Sequence, residues 1–197
     1  MYYNASMIKE HIAAGHVKID PYIAKFQGPN LYYCHLGSNV LIPKAGSLAD
    51  TKKLAKDLYE KKEIGDFYDL KPGEFILAET FETFSTDKSH IIRLFNSSSL
   101  ARLGVVQCAV GMINPGCGIK VPVRLTLELT NTSPFTVRLY PTKLNEKSGE
   151  VDDFGTEILK VAVAPHHEVD VAYEDWNGSV YGADSGVAGS KIDRRFQ

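Results

Sequence analysis

The sequence predicts a mainly β chain whose short strands close into a barrel or jelly roll. Three observations lead there. First, seven segments are rich in β-branched and aromatic residues: Leu31 to Ile42, Glu74 to Phe84, His90 to Phe95, Val105 to Ile113, Lys120 to Leu129, Phe135 to Tyr140 and Glu157 to Ala164. Second, turn formers punctuate them, at Pro72-Gly73, Asn114-Pro115-Gly116 and Ser133-Pro134. Third, Lys120 to Leu129 has a period close to two. Val121, Val123, Leu125, Leu127 and Leu129 point one way, and Lys120, Arg124, Thr126 and Glu128 the other. Strands spaced this way suit a closed antiparallel architecture.

Two helices are expected beside the strands. Ser6 caps the first, which runs through Ala14 with Met7, Ile8 and Ile12 on one face and Gly15 as its stop. The second runs from Leu48 to about Lys62. Ser47 and Asp50 resemble a capping box there, and Leu54, Ala55 and Leu58 form an apolar stripe between solvated lysines. Residues 1–172 read as the folded domain. Residues 173–197 are polar and carry four glycines, which reads as a flexible tail.

Composition narrows the class. The chain has 197 residues, 44% hydrophobic and 23% charged, enough apolar material for one domain with a sizeable core. A formal net charge of -2 gives no basic excess for a nucleic-acid polymer, while a small anionic ligand needs only a few local cations. Cys34, Cys108 and Cys117 are scattered and odd in number, which fits a reducing compartment. The first residues lack the apolar core of a signal peptide, and no run approaches the ~20 apolar residues of a membrane span. A cytoplasmic protein is expected.

Two places can carry chemistry. In Asn96-Ser97-Ser98-Ser99-Leu100-Ala101-Arg102-Leu103-Gly104, three hydroxyls precede a short helix-forming run. Free N–H groups at a helix start suit phosphate, and Ser98 and Arg102, four apart, share a face. The same residues also suit a serine N-cap on a stray turn. The second place is Glu128. A carboxylate among apolar neighbours has a raised pKa and can act as a general base; a rim glutamate paired with Arg124 is the plainer alternative. A zinc deaminase is excluded. His166-His167-Glu168 supplies H-x-E, but P-C-x-x-C is absent and Cys117 has no partner cysteine nearby. G-x-G-x-x-G and Walker loops are absent too.

Read together, the motifs resemble the dCTP deaminase and trimeric dUTPase superfamily, with dCTP deaminase the nearer branch. Ser98-Ser99-Leu100-Ala101-Arg102-Leu103-Gly104 resembles the R-S-S-L-A-R-L-G signature of the deaminases. Leu70 through Thr80, reading L-K-P-G-E-F-I-L-A-E-T, resembles L-x-P-G-E-F-x-L-A-x-T. Gly28-Pro29-Asn30 through His35-Leu36-Gly37 is similar to the family's first strand. Gly111 through Gly116, followed by Leu125-Thr126-Leu127-Glu128-Leu129-Thr130-Asn131, resembles I-D-x-G…L-T-L-E-L-x-N. Tyr181 through Gly186, then Ser190-Lys191-Ile192, resembles the tail Y-x-G-Q-x-G…S-R-I.

The resemblance implies a distorted dUTPase-like β-barrel, a homotrimer with sites at subunit interfaces, and a pyrimidine deoxynucleotide as ligand. It implies a hydrolase that converts dCTP to dUTP and ammonia without a catalytic metal, Mg²⁺ accompanying the triphosphate. Glu128 takes the place of the catalytic base, with Ser98 and Arg102 holding water and stabilising charge. Ser97, Ser99, Asn114, Tyr181, Asp184 and Lys191 fall on substrate-binding positions, and the tail on an active-site lid. Several positions depart from the pattern. Ser97 replaces the phosphate-binding arginine, Asn114 the aspartate of I-D-x-G, Asp184 the tail glutamine, and Val180 the lysine before the tail tyrosine. Three or four extra residues also lie between Gly116 and Glu128. An altered substrate is therefore one alternative. Others are a dUTP pyrophosphatase, a bifunctional enzyme forming dUMP, and a non-catalytic nucleotide-binding protein. Asn114 cannot be a pyrophosphatase's base, and the glycine-rich R-G-x-x-G-F-G-S arm of those enzymes is missing.

Overall fold

In the computed structural model of the chain, residues 1–54, 57–145, 147–181 and 186–196 are described, Arg195 and Phe196 by their backbone alone. The elements are α1 (Ala5–Ala13), β1 (Val17–Asp20), β2 (Tyr32–Pro43), β3 (Tyr59–Glu63), β4 (Tyr68–Leu70), β5 (Phe75–Thr86), β6 (His90–Asn96), α2 (Ser98–Ala101), β7 (Val105–Gln107), β8 (Met112–Ile113), β9 (Val123–Asn131), β10 (Val137–Leu139), β11 (Lys143–Leu144), β12 (Val151–Asp153) and β13 (Glu157–Pro165). Nine strands form one sheet in the order β7-β9-β5-β2-β13-β6-β8, with β1 paired to β5 and β3 to β2. This sheet curls into a half-barrel, so the expected mainly β architecture is observed, with the expected barrel only half formed by the sheet. Two small ladders, β10 with β4 and β11 with β12, lie apart from it.

The core fills the inside of the curl. Tyr32, Leu36, Ile76, Phe84, Ile92, Leu127, Leu129, Ile158 and Leu159 are all buried. β5 is central, paired with β2 on one side and β9 on the other, and nearly all of its residues are buried. That burial includes two carboxylates. Glu82 accepts from the His35 backbone N–H at 2.9 Å and meets His35 Nδ1 at 2.9 Å. Such partners are what make a buried acid tolerable.

Several expected boundaries moved. Asn4, not Ser6, caps α1, its side chain accepting from the Met7 N–H at 3.0 Å; Ser6 lies inside the first turn. The expected helix from Leu48 to Lys62 does not form among its described residues; Ala55 and Lys56 lie outside them. The Asp50 carboxylate accepts from the Lys52 N–H at 2.9 Å, closing a local turn instead of a capping box. Tyr59–Glu63 pairs as β3 with Asn39–Pro43. Four charged residues make poor strand formers, yet the open side of β2 wins because a ladder satisfies its backbone groups.

The expected strand Val105 to Ile113 breaks into two because its ends have different partners, β7 pairing with β9 and β8 with β6. β9 starts at Val123, just after Pro122, which lacks an N–H to donate. Val121 therefore lies outside the strand and is exposed instead of sharing its buried face. Phe135 to Tyr140 shortens to β10. No helix among the described residues is long and apolar enough to cross a membrane.

Leu127 is fully buried at the centre of β9. Leu127→Ala should lower unfolding free energy by about 2–5 kcal/mol, as core truncations do. Urea denaturation measures it, and a loss well under ~1 kcal/mol would contradict this packing.

Candidate active site

The site grows from the alternation on β9. Leu127 and Leu129 go to the core, so Thr126 and Glu128 go to the opposite face. There they line a cavity of about 490 Å³. Phe75 and Leu77 of β5, Asn114, Tyr59, Tyr173, Tyr181 and residues 188–190 close its other sides. An aromatic and apolar wall with a few polar groups is the usual composition of a small-molecule site.

Glu128 is half-buried. Burial pushes its pKa up. Hydrogen bonds from its own backbone and from the Gln107 side chain pull the other way without cancelling the rise. Gln107 on β7 is itself buried, and the Cys108 N–H donates to the Glu128 carbonyl at 2.7 Å, which fixes this corner. The pairing of Glu128 with Arg124 that the sequence allowed is not formed. Arg124 Nη1 instead lies 3.6 Å from Oε1 of Glu79, a residue only 1% exposed. Glu79 also accepts from Asn39 Nδ2 at 2.7 Å. A buried carboxylate has the stronger claim on the nearest cation.

The chain after residue 172 docks against this site. The Tyr173 N–H donates to the Pro115 carbonyl at 3.0 Å, beside Gly116. Gly116 has φ +76°, and a Cβ there would lie 2.5 Å from the Ala172 Cβ, so only glycine fits. Further on, the Val187 N–H donates to Glu79 Oε2 at 2.9 Å and the Ala188 N–H to Thr126 Oγ1 at 3.0 Å. The Tyr181 hydroxyl accepts from the Lys191 N–H at 3.1 Å, and Lys191 Nζ lies 5.3 Å from that ring's centroid. Asp184 lies outside the described residues.

The serine signature stands elsewhere. α2 is one turn long, and Ser98, Ser99 and Arg102 are exposed and absent from the cavity wall of the same chain. Gly104 ends the turn at φ +79°, where a Cβ would lie 2.6 Å from Ser133 Cβ. Ser97 occupies the N-cap position, but its hydroxyl donates to Glu157 Oε1 at 3.0 Å and caps nothing. Within one chain the structure thus brings Glu128, Asn114 and Tyr181 together. Sequence reading missed Gln107 and Tyr59. Gln107 carries no motif, and Tyr59 was hidden inside the expected helix.

Among the described residues, Glu128 is the one acidic side chain on the cavity wall. The wall therefore offers no all-protein Mg²⁺ cage; an Mg²⁺ arriving with a triphosphate would keep its phosphate and water ligands.

The family model described as dCTP deaminase-like matches residues 3–144, most of the chain. The chain belongs to the dCTP deaminase-like family of enzymes. A "dCTP deaminase, dUMP-forming" of Methanoregula boonei is 32% identical over 142 residues, 68% of this chain and 72% of that protein. A protein of the same description from Streptomyces griseus is 33% identical over 141 residues, 68% and 71% of the two chains. The crystal structure of a 2'-deoxycytidine 5'-triphosphate deaminase from Agrobacterium tumefaciens superposes with a TM-score of 0.57 at 13% identity, over 82% of this chain and 47% of that one. It shares the fold, and this chain spans about half its length. The dCTP deaminase-like match contains the serine signature, Asn114 and Glu128, and stops before the docked tail.

Thr126→Val keeps shape and removes the acceptor of the Ala188 N–H. The Ala188 amide should then exchange roughly 2–10-fold faster, as loss of one hydrogen bond implies. Unchanged exchange by NMR, with the fold intact, would show that this contact does not hold the tail.

Proposed function

We propose that the protein deaminates a cytosine deoxynucleotide, dCTP foremost, releasing ammonia and dUTP. The observation that carries this reading is Glu128, a half-buried carboxylate with a raised pKa on the wall of a nucleotide-sized cavity and with no cation among the causes of its shift. A base needs a pKa nearer the working pH than an ordinary glutamate has. Glu128 takes a proton from water as the water oxygen bonds to the ring carbon bearing the amine. It passes that proton to the adjacent ring nitrogen, then moves the proton of the new hydroxyl to the amine, and the carbon–nitrogen bond breaks to free ammonia as the carbonyl forms. Asn114, Tyr181 and the aromatic wall orient the base. Mg²⁺ arriving with the triphosphate would screen phosphate charge.

Ser98 and Arg102 complete the site from a neighbouring copy in a homotrimer. Their exposure supports this, as does Leu103 beside them, an apolar side chain 46% exposed. Ser99 stands with them. Ser97, engaged by Glu157, supports the local backbone and leaves phosphate recognition to other groups. Residues 173–197 act as a lid over the bound nucleotide, with Tyr181 and Lys191 on its inner side, and closure excludes bulk water. On this reading the protein works in the cytoplasm.

A second reading is favoured by the relatives' shared description as dUMP-forming: the same site also hydrolyses the triphosphate, giving dUMP and pyrophosphate. Incubation with dCTP, dCMP and dUTP in the presence of Mg²⁺, with ammonia and pyrophosphate read separately, tests both. Ammonia alone supports the first reading and ammonia with pyrophosphate the second. Pyrophosphate from dUTP without ammonia makes the protein a pyrophosphatase, and neither product makes it a binding protein.

Glu128→Gln should cut ammonia release by ~10²–10⁴-fold with the fold retained. In the parent, activity should fall on the acid side at a pH above the ordinary glutamate range, because the base must be ionised. The sign for stability is opposite. A carboxyl whose pKa is raised by folding favours the folded state at low pH and loses that contribution as pH rises through the folded pKa. Glu128→Gln should therefore melt no lower than the parent at neutral pH. Near-normal turnover, or a clear drop in melting temperature, would remove Glu128 from this role.

A further inference from the structure

Away from the cavity, three imidazoles and a carboxylate converge where α1, β1 and the β5–β6 turn meet. His16 Nδ1 lies 2.7 Å from Asp87 Oδ2, and His90 Nδ1 lies 2.7 Å from Asp87 Oδ1. The His11 ring stands beside them, its centroid 4.7 Å from that of His90 and 5.4 Å from that of His16. The backbone braces the group: the Asp87 N–H donates to the His16 carbonyl at 2.8 Å, and the Ser89 N–H to Asp87 Oδ1 at 2.8 Å. Tyr3 closes the inner side, stacked on His11 and 3.2 Å from His90 Nε2 through its hydroxyl. None of these residues lines the nucleotide cavity.

We propose that His16, Asp87 and His90 bind one divalent cation of the Zn²⁺ class. Their ligand atoms all lie within 4.8 Å of one another. Zinc at ~2.0–2.2 Å from each donor needs adjacent donors roughly 3.3–3.6 Å apart; the two 2.7 Å contacts, one to each oxygen of Asp87, would open by less than an ångström, with the carboxylate offering both oxygens to the ion. Two imidazoles and one carboxylate suit zinc and its first-row neighbours and do not suit magnesium or calcium. With Nδ1 of His90 on the metal, its proton sits on Nε2 and is donated to the Tyr3 hydroxyl, which fixes the tautomer and the ring plane. The Ser89 hydroxyl also donates to Asp87 Oδ1, at 3.0 Å, which holds the carboxylate in place. The His11 Nδ1 atom beside this group is buried without a hydrogen-bond partner. His16 is half-exposed and gives the ion its way in. The bound ion would tie the end of α1 and the start of β1 to the β5–β6 turn.

The test uses the full chain, stripped with a chelator, dialysed against ZnCl₂ and desalted, with retained zinc measured by mass spectrometry and stability by thermal melting. The expected result is about one zinc per chain with a raised melting temperature, and no effect from MgCl₂. His16→Ala, at a half-exposed ring, and Asp87→Asn, which keeps shape, should each bring retained zinc to background and make melting insensitive to it. A paired His166→Ala and His167→Ala variant, lacking exposed histidines elsewhere, should retain zinc as the parent does. Absence of stoichiometric zinc in the parent would overturn the proposal. So would undiminished zinc in both site variants, or its loss in the paired control.

Discussion

Between β5 and β9, Ile76 stands opposite Leu129, Leu77 opposite Glu128, Ala78 opposite Leu127 and Glu79 opposite Thr126. That register decides which side chains enter the core and which line the cavity. Side chains alternate along a strand, so a slip by one residue would send Leu127 and Leu129 into the cavity and bury Glu128 among apolar neighbours. Burial of Leu127 and Leu129 makes the slip costly. Stability and chemistry are thus set by one pairing: the apolar half of β9 holds the register and the polar half uses it.

The same ladder allocates charge. Glu79 and Glu128 lie on neighbouring strands, and Arg124 lines the same cavity as Glu128. Glu79 is the more deeply buried and takes the guanidinium, with Asn39 and the Val187 N–H as further partners. Glu128 is left with Gln107 and with burial that favours its protonated form. An ion pair to Arg124 would have lowered that pKa and made Glu128 a weaker base. Because Glu79 also holds the Val187 N–H, the group that frees Glu128 from its cation anchors the chain that covers the cavity.

Much of this was legible in the sequence. The period of two in β9 placed Glu128 and Thr126 on one face, and turn formers separated the strands near their true ends. The second helix was not legible. Its lysine-rich spacing suits a helix in isolation, and only the unpaired side of β2, a tertiary fact, makes Tyr59–Glu63 a strand. Nor could spacing show that Asp50 would fold back on its own backbone or that Ser97 would find Glu157, sixty residues away. That Ser98 and Arg102 stand apart from Glu128 within one chain was visible in no spacing; only the family resemblance, with its sites at subunit interfaces, pointed to it. Ser98 and Arg102 are neighbours of the motif in sequence, yet within one chain they lie outside the cavity that holds Glu128.

A complementation assay tests that division most directly. Glu128→Gln and Arg102→Gln chains are made separately and together, and ammonia release from dCTP is compared at equal protein. If each site takes Glu128 from one chain and Arg102 from the next around a closed ring, the separate variants are nearly inactive. Random mixed trimers then regain about one quarter of the parent's activity, since one interface in four pairs two intact contributions. Mixed assemblies that form and stay inactive would contradict the account and place the whole reaction within a single chain.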